Sequence, residues 1–278
     1  MSGPLHFGVL VERRYLSQAQ PSGLIEALGA RGHSVRTIDP EATALRMDDD
    51  SWLEGLDLIV ARGRSWGLLA LLEWAGSRGV PTINRRAAIS AVHNKADMSI
   101  ALAKDRLPTP DTWFGTPSRL ADTIPMSAYP LIIKLIFGDN CRGLEVVDSV
   151  DALRALDWSD SVALAQCYHK TDGYDLKLYG IGDDVWAVRK PSPFNKRSDD
   201  DADAKKSGLA ETTPELADLG RRCGRLFGLD LFGVDCIETD AGVFVIEVND
   251  YPNFTSVPDA NERLADFCER RVAEVPSR

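Results

Sequence analysis

Mainly apolar runs of strand length alternate with segments of helical spacing through the first third of this 278-residue chain. Leu5–Val11 and Leu56–Ala61 are such runs, whereas Pro21–Arg31 and Gly67–Arg78 carry apolar residues at helical intervals. Alternation of strands and helices predicts a parallel sheet that is covered on both faces. We therefore predict a first domain of the α/β class at residues 1–85.

Hairpin patterns replace this alternation in the rest of the chain. Leu131–Val147 carries two apolar runs around a glycine-bearing turn, and Gly233–Asn249 carries two more around Asp240-Ala241-Gly242. Paired antiparallel strands with separate helices indicate α+β organisation. We predict a central subdomain at residues 86–165 and a C-terminal subdomain at residues 166–278.

Two carboxylates and one amide fall on neighbouring strands of the last hairpin. Asp235 lies in the first strand, while Glu247 and Asn249 lie two apart in the second and so share a face. The turn places Asp235 nearly opposite Glu247. Carboxylates among apolar neighbours need a partner, and a hard cation such as magnesium would serve. The alternative is a solvent-facing strand with ordinary acids.

Lys134 stands inside an apolar strand and precedes the turn Gly138–Gly143. An ammonium group and the backbone N–H groups of such a turn can together bind phosphate oxygens. The chain has no G-x-x-x-x-G-K-[ST] motif. The alternative is an edge-strand lysine whose ammonium group reaches solvent.

A third candidate segment ends a predicted strand with Gln166, Cys167 and Tyr168, and Asp175 and Lys177 follow shortly after. A strand that leaves its sheet can offer backbone groups to an adenine ring. A plain connection between domains is the alternative.

Three further cations give weaker indications. Lys95 begins a predicted helix, Arg189 ends a predicted strand, and Arg197 lies in the polar loop Pro191–Gly208. A surface salt bridge is the alternative for each. The loop is too polar to pack, so it is either a disordered tip or a lid that orders on ligand binding.

Composition narrows the class of protein. The net charge of −10, from 32 basic and 42 acidic residues, argues against a nucleic-acid partner. The five cysteines include no C-x-x-C pair, which argues against a disulfide framework or zinc cluster. No apolar run approaches the roughly 20 residues of a membrane span, and the N-terminus lacks signal-peptide character. We expect a cytoplasmic protein without a membrane partner.

The order of these segments resembles the ATP-grasp superfamily, and most closely its RimK-type, glutathione-synthetase-like ligases. Asn84–Pro110 is similar to the family's entry into its central subdomain. Pro130–Gly143 is similar to its lysine strand and glycine loop, and Phe232–Asn249 to its metal hairpin. The resemblance implies an ATP-grasp fold of α/β and α+β class, with a Rossmann-like N-terminal domain and two subdomains that clasp ATP.

The resemblance also implies a role for each candidate residue. The catalytic residues would be Arg189 and Arg197, which face the transferred phosphoryl group, and Lys177, which lies beside the nucleotide. One or two magnesium or manganese ions would be held by Asp235, Glu247 and Asn249. The ATP-binding residues would be Lys95, Lys134, Gly138, Gly143, Gln166, Cys167, Tyr168 and Asp175. In such ligases ATP phosphorylates a carboxylate, and an amine of an amino acid or peptide attacks the acyl phosphate.

Two positions depart from the family pattern. Cys167 stands where a carboxylate is common, which weakens an assignment of adenine or ribose contacts there. Lys177 stands where RimK-type ligases tend to have arginine, and lysine lacks the planar fork that binds a carboxylate with two hydrogen bonds.

Two other functions stay open on the sequence. Leu176–Gly182, Val188–Ser192 and Asn249–Phe254 are similar to inositol polyphosphate kinases of the same fold, which would phosphorylate an alcohol. The N-terminal domain favours the ligase, and no dense basic pocket for a polyphosphate is evident. A nucleotide-binding regulator without catalysis is opposed by the intact lysines and acids. A homo-oligomer is left open.

Overall fold

The computed structural model describes residues 3–138, 143–192 and 207–274. The N-terminal part of the chain forms a parallel sheet. Its strands are β1 (His6–Val11), β2 (Ser34–Ile38), β3 (Leu58–Arg62) and β4 (Thr82–Ile83). They run parallel in the order β2-β1-β3-β4. The predicted parallel sheet is confirmed.

Helices cover both faces of this sheet. They are α1 (Ala19–Ala30) and α2 (Trp66–Ser77), whereas the next two helices, α3 (Arg86–His93) and α4 (Lys95–Lys104), bury most of their apolar residues against the C-terminal part of the chain. Leu24 and Leu28 of α1 pack with Phe7 on one face. Leu68 and Leu72 of α2 pack with other buried residues on the opposite face. Because side chains alternate along β1, this strand contributes to both cores.

A second, antiparallel sheet follows. Its strands are β5 (Thr112–Gly115), β6 (Leu131–Lys134), β7 (Glu145–Val147) and β8 (Ala163–Cys167), in the order β5-β8-β6-β7. Two short helices, α5 (Pro117–Thr123) and α6 (Val150–Arg154), pack against one face. The β6–β7 hairpin agrees with the sequence pattern. The pattern gave no sign of β5, a four-residue strand directly after a proline-rich segment.

The third sheet is also antiparallel. Its strands are β9 (Tyr174–Ile181), β10 (Asp184–Pro191), β11 (Gly208–Leu209), β12 (Leu231–Thr239) and β13 (Gly242–Asp250), in the order β11-β10-β9-β12-β13. Helix α7 (Pro214–Phe227) packs on one face through Leu219, Cys223 and Phe227. Helix α8 (Ala260–Glu274) packs against α1 and shares a core with the N-terminal sheet. The division at residues 85/86 and 165/166 stays a prediction.

Most of the loop Pro191–Gly208 lies outside the described residues, so its interpretation as a lid stays a prediction. Within the three described ranges, no helix has both the length and the apolar character needed to cross a bilayer.

Phe232 of β12 occupies space that two glycines leave open. A Cβ atom built on Gly180 of β9 would lie 2.1 Å from the Phe232 ring, and one on Gly224 of α7 would lie 2.5 Å from it. Phe232 is 1% exposed. The close contact between α7 and the third sheet therefore requires small residues at both positions.

We expect Gly180→Ala to lower the free energy of unfolding by about 1–3 kcal/mol, because the added methyl group overpacks the core. Gly76→Ala is the matched control, since a Cβ atom there meets nothing within 4 Å in helix α2. The control should be neutral or stabilising by up to about 1 kcal/mol. Urea unfolding measures both variants, and equal midpoints would contradict the packing argument.

Candidate active site

The two acids and the amide of the last hairpin lie together on one face of the third sheet. Asp235 of β12 and Glu247 of β13 are direct register partners, and Asn249 lies opposite Gly233. The Asn249 side-chain nitrogen Nδ2 donates to Asp235 Oδ2 over 3.4 Å. The structure thus brings together the three residues that the sequence assigned to a metal.

Each carboxylate is paired with a lysine. Lys177 is the register partner of Asp235 on β9, and its Nζ donates to Asp235 Oδ1 over 2.7 Å. Lys95 Nζ forms a short ion pair with Glu247. Burial alone would lower the pKa of Lys177, but its attraction to Asp235 outweighs this effect and the pKa is raised. Lys177 therefore stays charged beside Asp235.

The capping of helix α4 positions Lys95. The Asn94 side chain accepts hydrogen bonds from the backbone N–H groups of Ala96 and Asp97, at 3.0 and 3.2 Å. The backbone N–H of Lys95 itself donates to the Ile136 carbonyl over 3.1 Å. This N-terminal cap fixes the first residue of the helix, so the lysine is directed at the metal hairpin.

The donor set fits magnesium. Two carboxylates and an amide oxygen are hard oxygen donors, and Mg²⁺ commonly completes its shell with phosphate oxygens and water. Within the described part of the chain, no cluster of three or more His, Cys, Asp or Glu side chains could hold a metal. A metal at this hairpin would accordingly depend on the Asn249 amide and on ligand oxygens for its remaining contacts.

Lys134 lies on the facing sheet. It is 8% exposed, and its Nζ donates to Gln166 Oε1 over 2.5 Å. Gln166 in turn donates from Nε2 to Thr112 Oγ1 over 3.0 Å. Lys134 and Ile132 share the strand face that points away from the α5–α6 core, because Leu131 and Ile133 fill that core.

A cleft of about 630 Å³ separates these two sheets. Its volume lies within the range of small-molecule and cofactor sites. It is lined by eleven of the fourteen predicted site residues: Lys95, Lys134, Gly138, Gln166, Cys167, Tyr168, Asp175, Lys177, Asp235, Glu247 and Asn249. Burial raises the pKa of Asp175 at the edge of this cleft.

The backbone N–H groups of Cys167 and Tyr168 already donate hydrogen bonds within the protein. The Cys167 N–H donates to the Asp111 carbonyl over 3.0 Å, and the Tyr168 N–H donates to the Pro130 carbonyl over 2.9 Å. Burial raises the pKa of the Cys167 thiol, which keeps it neutral. The carbonyl groups and side chains of this segment are consequently the groups that it can offer to an adenine ring.

Arg189 is not brought together with the other predicted residues. It is paired with Leu176, whose side chain fills the α7 core, and so lies on the sheet face opposite Lys177. There it forms an ion pair with Asp172 and stacks 5.0 Å from the Tyr174 ring. Its neighbour along β10 faces the cleft instead.

That neighbour is Lys190. It is the register partner of Asp175, lines the cleft, and donates from Nζ to the Tyr179 hydroxyl over 2.5 Å. Gly143 does not line the cleft as the described residues define it. Arg197 lies outside the described residues, so its role stays a prediction.

The end of β3 in the N-terminal sheet, and the segments that follow β1 and β3, supply a part of the cleft that the sequence did not predict. These residues are Tyr15, Gln18, Arg62, Gly63 and Arg64, joined by Asp250, Tyr251 and Asn253 after the metal hairpin. Burial raises the pKa of Asp250 to about 6, although the positive charges of Arg64 and Arg62 partly oppose this rise. The one available signal was Arg62 itself, a charged residue at the end of a buried strand.

Comparison with known proteins gives the family. The model of the RimK-like ATP-grasp domain matches residues 92–264, more than half of the chain. This chain belongs to the RimK-like ATP-grasp family. A probable alpha-L-glutamate ligase of Alkalilimnicola ehrlichii is 29% identical over 262 residues, covering 85% of each chain.

Solved structures share the fold of this RimK-like chain. The RimK domain ATP-grasp protein from Sphaerobacter thermophilus aligns with a TM-score of 0.72 at 21% identity, over 94% of this chain and 98% of that one. The ATP-grasp ligase PsnB, in complex with a minimal precursor, Mg and ADP, aligns with a TM-score of 0.73 at 17% identity, over 98% and 99%. The predicted ATP-grasp fold is confirmed.

Family membership settles the broad activity. The RimK-like chain belongs to a family of ATP-dependent carboxylate–amine ligases. The kinase alternative finds no support among these comparisons. The predicted cytoplasmic location and the oligomeric state stay predictions.

Proposed function

We propose that this ligase joins a small-molecule or peptide carboxylate to the amine of an amino acid or peptide, and that the cleft between the second and third sheets is its active site. The observation that carries the proposal is the convergence of Asp235, Glu247 and Asn249 with four lysines on that cleft. Relatives are called probable alpha-L-glutamate ligases, so L-glutamate is the first amine substrate to test.

The chemistry proceeds in two steps. A carboxylate oxygen of the first substrate attacks the γ-phosphorus of ATP, the bond to the β-phosphate oxygen breaks, and ADP leaves. The amine then attacks the acyl carbon, phosphate leaves with the electron pair of the C–O bond, and the amine loses a proton. Both steps are accelerated by charge neutralisation and positioning rather than by a protein nucleophile.

The lysines of the cleft would change partners when nucleotide binds. Lys95 now pairs with Glu247, and Lys177 pairs with Asp235. Magnesium would take the place of these ammonium groups at the acids, and the lysines would turn to the phosphates. Lys134 and Lys190 face the same space and would add to the positive charge around the transferred group.

We assign the remaining roles by position. Gln166, Cys167 and Tyr168 would border the adenine, and Asp175 would lie beside the nucleotide. Arg189 in its present position would act from outside the cleft, by holding Asp172. Any direct contact between Arg189 and the phosphoryl group would require β10 to rearrange.

Hydroxylamine separates acyl-phosphate chemistry from phosphorylation of an alcohol. The enzyme is incubated with ATP, Mg²⁺, hydroxylamine and a panel of acids that includes amino acids and short peptides. A hydroxamate with stoichiometric ADP release is the expected result, since hydroxylamine intercepts the acyl phosphate. A stable phosphorylated alcohol, or ADP release without hydroxamate from any acid, would contradict the proposal. Absence of ADP release under all conditions would favour a regulatory protein.

A further inference from the structure

Arg62 is a buried cation in the cleft, at the end that lies against the N-terminal sheet. It is the last residue of β3 and is 8% exposed. Its guanidinium carbon lies 4.8 Å from the centre of the Tyr15 ring and 5.1 Å from that of Tyr251. The two aromatic rings hold the guanidinium group in place.

The guanidinium group is incompletely satisfied. Its Nη2 donates to Gln18 Oε1 over 2.7 Å, but its Nε is buried and has no hydrogen-bond partner. No carboxylate among the described residues forms an ion pair with it, although Asp250 attracts it from farther away. A buried charge is costly unless it is paired and hydrogen-bonded. The guanidinium therefore offers donors for an anionic group that the chain does not supply.

The surrounding loop is held in place before any ligand binds. Glu12, which is 3% exposed, accepts hydrogen bonds from the backbone N–H groups of Arg64 and Ser65, the latter at 2.6 Å. Gly63 has φ +139°, and a Cβ atom there would lie 2.5 Å from Glu12 Oε1. A rigid loop next to Arg62 lowers the ordering cost of binding.

Arg62 lines the same cleft as the proposed metal ligands. Tyr251, which stacks on Arg62, follows the proposed metal ligand Asn249 by two residues, and both line the same cleft. Under the proposed function, the group that receives the phosphoryl would lie by the metal hairpin. A substrate bound there would extend a second polar group along the cleft toward Arg62.

We propose that Arg62 binds a free carboxylate of a substrate, distinct from the carboxylate that is phosphorylated. Arginine is suited to this because its planar fork can donate two parallel hydrogen bonds to one carboxylate. Two sources share this chemistry: the α-carboxylate of an amino-acid amine substrate, and a second carboxylate on the acyl substrate. This inference rests on the proposed function, because it takes the cleft to be the substrate site.

Binding of free acids and their amides tests the inference without turnover. Full-length protein with Mg²⁺ and a non-hydrolysable ATP analogue is titrated with the common amino acids, with succinate and glutarate, and with the carboxamide of each. We expect at least one acid to bind and its amide to bind roughly ten- to a hundredfold more weakly, as befits loss of a charge-assisted hydrogen bond. An amino acid without a second acid group points to the amine substrate, and glutarate or succinate points to the acyl substrate.

Variants locate the effect at Arg62. Arg62→Gln should weaken binding of the acid by the same ten- to hundredfold factor and leave the affinity for the amide unchanged. A merely structural role would not produce this difference. Arg13→Gln, at an exposed arginine of the same N-terminal segment, should leave both affinities unchanged. If Arg62→Gln does not fold, Arg62→Lys takes its place: it keeps the charge but lacks the planar fork, and it should likewise weaken binding of the acid while leaving the affinity for the amide unchanged.

Three results would overturn the inference: no acid binds, acid and amide bind equally, or Arg62→Gln keeps its preference for the acid. Failure of the ligase proposal would look different. Acids would then still bind in a manner that depends on Arg62, whereas hydroxylamine would trap no acyl phosphate.

Discussion

Replacement of Glu247 by glutamine is expected to reduce ADP release by at least about a hundredfold, since loss of one preorganised electrostatic contact at a reacting group commonly has an effect of this size. Glutamine keeps the shape of the side chain but removes the anionic oxygens that a hard cation requires. Glu247 lies opposite Asp235 and is the partner of Lys95. The substitution therefore weakens the metal and changes the balance of charge at the phosphates.

The fold should survive this change. Glu247 is partly exposed, and glutamine can still accept a hydrogen bond from Lys95, so we expect a loss of only about 1 kcal/mol in the free energy of unfolding. Asp240→Asn, in the exposed turn of the same hairpin, is the control and should release ADP at the normal rate. A coupled ADP assay at several Mg²⁺ concentrations measures both. Normal turnover by Glu247→Gln would refute the metal assignment.

Asn84→Ala is expected to have the largest effect on stability. Asn84 is 0% exposed and joins the end of β4 to the start of β12. Its Nδ2 donates to the Leu231 carbonyl over 2.7 Å, and its Oδ1 accepts from the N–H groups of Asp230 and Leu231 at 2.7 and 3.0 Å. Alanine would leave the last two donors without an acceptor, at a cost of about 2–4 kcal/mol in the free energy of unfolding.

Asn94→Ala gives the comparison for this prediction. Asn94 also accepts two backbone hydrogen bonds, but it caps a helix and lies nearer to solvent, so its loss should cost about 1 kcal/mol. Thermal and urea unfolding measure both variants. Equal losses would show that the link between β4 and β12 contributes no more than an ordinary helix cap.

The Asn84 link also bears on the site. It holds the N-terminal sheet, which carries Arg62, against the sheet that carries Asp235. Asn84→Ala should therefore weaken binding of the substrate acid more than it weakens binding of nucleotide between the second and third sheets.

Local pattern was sufficient for the elements with strong periodicity or clear end signals. The expected helix at Gly67–Arg78 appears as Trp66–Ser77, where Ser65 caps its start and Gly79 adopts φ +74° just after its end. The two strands around Asp240 pair as expected and set Asp235 against Glu247. These features depend on residues within one element or one turn, which is why sequence patterns could predict them.

The face of a strand was harder to predict. Alternation along β10 separates Arg189 from Lys190, but it does not say which of the two points to the cleft. That choice depends on α7, whose apolar face packs against the side of the sheet that carries Leu176. Strand β5 was missed because four residues are too few to show a period.

Contacts between distant segments account for the rest. Neighbouring residues alone made the last hairpin and the Lys134 strand candidates for metal and phosphate binding, whereas the role of Lys95 was implied only by the family resemblance. Arg62 becomes a binding group only because Tyr251, far along the chain, covers it, and Asn84 becomes a structural link only because Leu231 meets it. Local sequence sets propensity and alternation, whereas the burial and pairing of a side chain depend on segments that only folding brings next to it.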